Sequence, residues 1–188
     1  PIGHEARFRG ARLSFYLGEF DWARAQLDVL KAATSKLIAN DAMALSLLIT
    51  DNIGADSSTA ALSAYARADL LLFRNHTAEA QAVLDSMLLA FPGHEITDDV
   101  LLKKAEINVS NGNLAEAAEN YTRVANEFNE GVLADDALFK LGTLYQEHIK
   151  DKTKAMETFE KLLMEHPGSI FVIEARKRFR SLRGDGMS

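Results

Sequence analysis

The sequence predicts an all-α fold of stacked helical hairpins, on three observations. Apolar residues recur at i, i+3, i+4 and i+7 along nearly the whole chain, the spacing of one helix face. Leu114, Ala117, Ala118, Tyr121, Val124 and Ala125 form one such stripe, and Ala155, Phe159, Leu162 and Leu163 form another. Alternating runs of β-branched residues are absent, and the prolines and glycines punctuate helical patterns. The helical pattern is itself periodic. Asp98-Asp99-Val100-Leu101 returns 37 residues later as Asp135-Asp136-Ala137-Leu138, and His76-Thr77-Ala78-Glu79-Ala80 is echoed at the same interval by Asn113-Leu114-Ala115-Glu116-Ala117. Phe91-Pro92-Gly93 is matched by His166-Pro167-Gly168. Units that repeat in this way bury their apolar faces against one another rather than alone.

On these residues the chain resembles the tetratricopeptide repeat family. That helix-turn-helix unit carries a small residue in its first helix, Gly near the turn, Ala and then an aromatic residue in its second helix, and Pro after it. The first unit, at about 4–37, carries Ala11, Gly18, Phe20 and Ala23 and lacks the Pro. The spacing then breaks, since Ala23 to Ala80 is 57 residues against 37 and 38 for the later steps. The excess is expected to hold an extra helix over about 40–51, with Asn40 or Asp41 as N-cap, followed by a loop over 51–58. The second unit, at about 61–94, carries Ala68, Ala80, Leu84 and Pro92. The third, at about 98–131, carries Ala105, Gly112, Ala117 and Tyr121, with Asn129 where Pro is usual. The fourth, at about 135–168, is the fullest match: Leu141, Gly142, Tyr145, Ala155, Phe159, Leu162 and Pro167, with one extra residue in the turn. Residues 169–183 are expected as a C-terminal capping helix, with Ser169 as N-cap and Gly184 just past its end. Phe171, Val172, Ala175, Phe179 and Leu182 would line its inner face and cations its outer one. The resemblance implies one domain over 1–188, a right-handed α-solenoid of such units closed by the capping helix.

Composition narrows the chemistry. The 188 residues include no cysteine, which excludes a disulfide framework, a thiolate-ligated metal and a cysteine nucleophile. A net charge of −6 and a pI near 5.4 argue against nucleic acid as a ligand, because phosphate neutralisation needs basic surface. No apolar run reaches the ~18 residues of a membrane span. The N-terminus, Pro1-Ile2-Gly3-His4, has no signal-peptide pattern, and with no initiator Met the chain reads as a piece of a longer protein. Charge is unevenly placed. Residues 94–136 hold ten Asp and Glu against Lys103, Lys104 and Arg123, whereas the tail holds Arg176, Lys177, Arg178, Arg180 and Arg183.

Catalytic signals are lacking. No nucleophile elbow, phosphate-binding loop or His-Glu-x-x-His zinc motif is present, and His4, His76, His94, His148 and His166 are scattered. No catalytic residue, metal or cofactor is expected. Asp98-Asp99 and Asp135-Asp136 read as first-turn acids that complement the helix macrodipole. Arg183-Gly184-Asp185 spells an adhesion tripeptide, but Gly after a helical Arg is ordinary capping. The basic stretch at 176–183 reads first as a solvated helix face, and second as a surface for an acidic partner or for the acidic middle of another copy.

In the family the first helices of the units line a concave face that takes ligands. Carried over, the resemblance implies partner-binding positions at Arg9, Arg12, Tyr16, Tyr65, Asp69, Leu102, Lys103, Glu106, Phe139, Lys140 and Gln146, with Phe8, Phe15, Leu72, Phe73, Asp99 and Asp136 beside them. Aromatic and Arg anchors suit a protein or peptide ligand. Tyr65→Ala and Phe139→Ala are accordingly expected to weaken capture while leaving melting nearly unchanged. The expected function is a non-catalytic protein-interaction scaffold. A homo-oligomerisation module and the docking domain of a larger enzyme are the alternatives. Residues 95–183 also resemble bacterial envelope repeat proteins, namely the periplasmic partner of the Tol–Pal system and the lipoprotein of the outer-membrane assembly machine. That implies an envelope location, with the cytoplasm left open.

Overall fold

The computed structural model describes residues 2–31, 36–53 and 58–184. These residues form ten α-helices and one π-helical turn, with no strand among them. The chain divides into two compact units, Pro1–Val100 and Leu101–Ser188.

The first unit opens with α1 (Ile2–Tyr16) and α2 (Phe20–Leu30), packed as an antiparallel hairpin. The turn between them is tight because Gly18 sits at φ +78°, a left-handed conformation that favours glycine. There Glu19 N–H reaches back to Ser14 O at 2.9 Å, and Gly18 N–H donates to Phe15 O at 3.1 Å. This is the double bond pattern that closes a helix C-terminus. Ala11, Phe15, Phe20, Ala23, Leu27 and Leu30 are buried. α3 (Lys36–Asp51) packs on α2, and α4 (Ala60–Phe73) packs on both α5 (Thr77–Ala90) and α1. The α4–α5 turn repeats the first one, with Asn75 at φ 62° in place of glycine and His76 N–H bonded to Leu71 O at 2.8 Å.

The helix over 36–51 starts four residues before the expected 40, so Asn40 and Asp41 lie inside it and cap nothing. The reason is its apolar face: Ile38, Ala42 and Ile49 are buried one or two turns apart, and that stripe begins ahead of Asn40. Of the expected 51–58 loop, residues 54–57 lie outside the described residues. Asn52 at its start is buried and donates to Asp99 Oδ2 at 2.9 Å and Leu48 O at 3.0 Å.

α6 (Thr97–Asn111) runs from the first unit into the second, which continues with α7 (Leu114–Glu127), α8 (Ala134–Leu144), α9 (Lys152–Glu165) and α10 (Val172–Arg183). Gly112 at φ 79° and the Asn113 N–H to Asn108 O bond of 2.8 Å make the α6–α7 turn a third copy of the same motif. In the α8–α9 turn the extra residue is absorbed as a π-helical turn, Tyr145–Ile149. Lys150 takes the left-handed position at φ 64°, and Asp151 N–H bonds Tyr145 O at 2.9 Å, six residues back instead of five. Asp151 then caps α9, its Oδ1 accepting from Lys154 N–H at 3.0 Å. Packing runs in order, α7 on α8, α8 on α9 and α9 on α10. The joint between α8 and α9 is close: a Cβ on Gly142 would lie 2.6–2.9 Å from three ring atoms of the fully buried Phe159.

The capping helix begins at Val172, two residues later than Ser169 as N-cap would have set it. Ser169 stands in the turn before it and uses its Oγ to accept from Phe171 N–H at 3.1 Å. Gly184 closes the helix as expected, left-handed at φ 98° and bonded to Arg180 O at 3.0 Å.

Candidate protein-interaction site

In the first unit the marked residues of α1 and α4 meet. Tyr16 hydroxyl donates to Asp69 Oδ2 at 2.9 Å, and Arg12 Nη2 donates to the same oxygen at 3.1 Å and to the Tyr16 hydroxyl. The Arg12 guanidinium also lies 5.5 Å from the ring centres of both Tyr16 and Phe73. Burial alone would lower the Arg12 pKa, but its interactions with Tyr16 and Asp69 outweigh it and hold the group above its ordinary value. Burial, then Asp69, raises the Tyr16 phenol, so it stays neutral. Arg9 is exposed and pairs within α1 with Glu5 at 3.0 Å. The result is a rigid plate of one cation, one anion and two rings that joins α1 to α4.

Two neighbours on this plate, Leu13 and Leu17, were not marked by the sequence, whereas Phe73 was. Leu13 and Leu17 are 58% and 65% exposed, and Phe73 is 66% exposed. Leu13 and Leu17 share the α1 stripe with Arg9, Arg12 and Tyr16, because those positions recur every three or four residues. That spacing was the available signal.

Two expectations are corrected here. Tyr65 is only 6% exposed and Phe15 is 1% exposed, so both are core residues that a partner cannot reach. α4 is packed by α1 as well as α5, which widens its buried stripe to include Tyr65. Phe15 packs edge-on against Phe20 of α2 at 5.7 Å.

In the second unit the marked charges also pair across helices. Lys140 Nζ of α8 lies 2.7 Å from Glu106 Oε1 of α6 and 2.6 Å from Asp136 Oδ2, with Lys103 3.6 Å from Glu106. Burial would lower Lys140, but Glu106 and Asp136 outweigh it and raise its pKa. Asp135 Oδ1 accepts from Asp136 N–H at 2.8 Å, so the acid pair is first-turn structure. Leu102 is half-buried on α6. Gln146 Oε1 accepts from Arg178 Nη1 of α10 at 3.0 Å, and Arg178 also meets Glu147 at 2.6 Å and Glu174 at 3.1 Å. The Arg178 hydrogen bond is the main reason Glu147 sits below the usual carboxylate range. Phe139 stacks on Phe171 at 4.7 Å and 12°, with Arg178 5.7 Å from its ring centre. Phe139 therefore holds the capping helix, and its loss is expected to cost stability, contrary to the sequence expectation.

Tyr121 is buried near this cluster. Burial, then Glu106, pushes its phenol up to about 12 from an ordinary 10. A group raised on folding stabilises fully below its unfolded pKa and loses that contribution as pH climbs through the folded value. Between pH 10 and 12 the chain is expected to lose on the order of 2 kcal/mol through this residue. Tyr121→Phe should flatten the alkaline limb of a urea-stability profile by that amount. An unchanged limb would remove Tyr121 from the account.

The α8–α9 hairpin, with its small residue against a buried ring and its turn after α9, sets the comparison. Residues 136–169 match the tetratricopeptide repeat family model. The match covers one hairpin and supports the tetratricopeptide repeat family for this helical repeat chain. No curated protein matches the chain. Tetratricopeptide repeats generally mediate protein–protein interaction. Among the described residues no helix is long and apolar enough to cross a membrane.

Proposed function

We propose that this chain is a non-catalytic scaffold that holds a protein segment against the first helices of its hairpins, with the α1–α4 plate as one contact. The observation that carries this reading is the combination at that plate. Leu13, Leu17 and Phe73 stand exposed beside a fixed Arg12–Tyr16–Asp69 cluster, so apolar area is offered on a support that needs no further ordering. Apolar anchors ringed by charge are what protein interfaces use. The likeness of residues 95–183 to bacterial envelope repeat proteins supports a role in assembling other proteins at that location.

The test is affinity capture from a lysate of the source cells, quantified by mass spectrometry. Leu13→Ala/Phe73→Ala is expected to lose at least about tenfold of the captured partner, as for loss of central anchors. Trp22→Ala, on α2, should lose none. Equal capture by all three chains would contradict the reading.

A further inference from the structure

We propose that the outward face of α10 docks on the acidic flank of α7 in a second copy of this chain. This is independent of the α1–α4 reading and uses neither of those helices. Ile170 and Ile173, at the head of α10, are 86% and 82% exposed. Arg176, Lys177 and Arg180 are exposed on the turns that follow, at helical spacing from Ile173. Residues 170–184 hold five cations and one acid. Arg178 is turned inward onto Gln146 and Glu147, which leaves the outer side to the other cations. The face is thus an apolar head with a cationic tail and no covering helix in the described residues.

The complementary surface lies in the same unit. Residues 112–136 hold six acids and one cation, and Glu116, Glu119, Glu127 and Glu130 are exposed along α7 and the turn after it. Val132, 66% exposed, supplies an apolar residue at the end of that acidic run. One surface therefore matches the other in sign and in carrying apolar residues at one end. The two faces differ, so a single contact leaves the pair with one free face of each kind. Association then continues past a dimer unless the ring closes. Exposed pairs of this kind are screened by salt, because the Debye length shrinks to ~3 Å at about 1 M.

Sedimentation velocity on the full chain tests this. In about 50 mM salt the mass is expected to rise with concentration above the monomer's 20.7 kDa, and to return to it in about 1 M salt. Arg176→Glu/Arg180→Glu and Glu116→Arg/Glu119→Arg should each weaken association about tenfold or more, since each sets like charges face to face. An equimolar mixture of the two should restore it, because each contact between unlike variants again joins opposite signs. Circular dichroism checks that both variants keep their helices. A chain that is monomeric throughout, self-association indifferent to the reversals, or a mixture that fails to associate would each overturn the proposal. So would a monomer that instead sediments with anionic phospholipid vesicles.

Discussion

Gly142→Ala is expected to destabilise the chain by about 2 kcal/mol, although alanine is the better helix former by about 1 kcal/mol. The added methyl would lie 2.6–2.9 Å from Cε1, Cδ1 and Cζ of Phe159, closer than packed carbons approach. Phe159 is fully buried on α9, and close-packed interiors leave a ring little room to turn. The overlap must be relieved by moving α8 away from α9. Urea unfolding should show a lower midpoint at constant slope, the sign of a stability change alone. In the Phe159→Leu background the same substitution should cost less than half as much, because the two positions share one space. A neutral or stabilising Gly142→Ala would mean that the helices do not meet as described.

Tyr65→Ala is the second large effect, at about 3 kcal/mol, the usual cost of truncating a buried aromatic. Leu13→Ala and Phe73→Ala, on the exposed side of the same hairpin layer, should cost about 0.5 to 1 kcal/mol. The contrast is informative because all three residues fall on first helices of hairpins. Thermal and urea melts of the three variants separate the buried stripe from the exposed one. If Tyr65→Ala melts like wild type, the packing of α4 on α1 and α5 is wrong.

The sequence was most legible where backbone geometry demands a residue type. Gly18 and Gly112 marked turns because their left-handed φ favours glycine, and the 37-residue spacing marked the hairpins around them. Asn75 fills the same role, and it escaped notice because asparagine is common in turns of many kinds. The start of α3 was misplaced because a capping residue is recognisable only when the apolar stripe begins after it, and here the stripe begins at Ile38. Tyr65 was assigned to the binding face by its position in a standard unit. A single repeat pattern carries no account of how many neighbours a given helix has, and α4 has α1 as well as α5. The ion pairs among the marked charges are not legible in the sequence. Arg12–Asp69 and Lys140–Glu106 are separated by 57 and 34 residues, distances over which a sequence does not announce a contact. The exposed Leu13 and Leu17 carry no mark in the sequence, because a leucine on a helix looks the same whether it faces the core or solvent.

The most direct measurement of the central proposal is amide hydrogen exchange on the chain with and without its captured partner. The account predicts slowed exchange in α1 from about Phe8 to Tyr16 and in α4 near Asp69 to Phe73, with α2 and α5 unchanged. Protection confined to α2 and α5, with α1 and α4 exchanging as before, would contradict it.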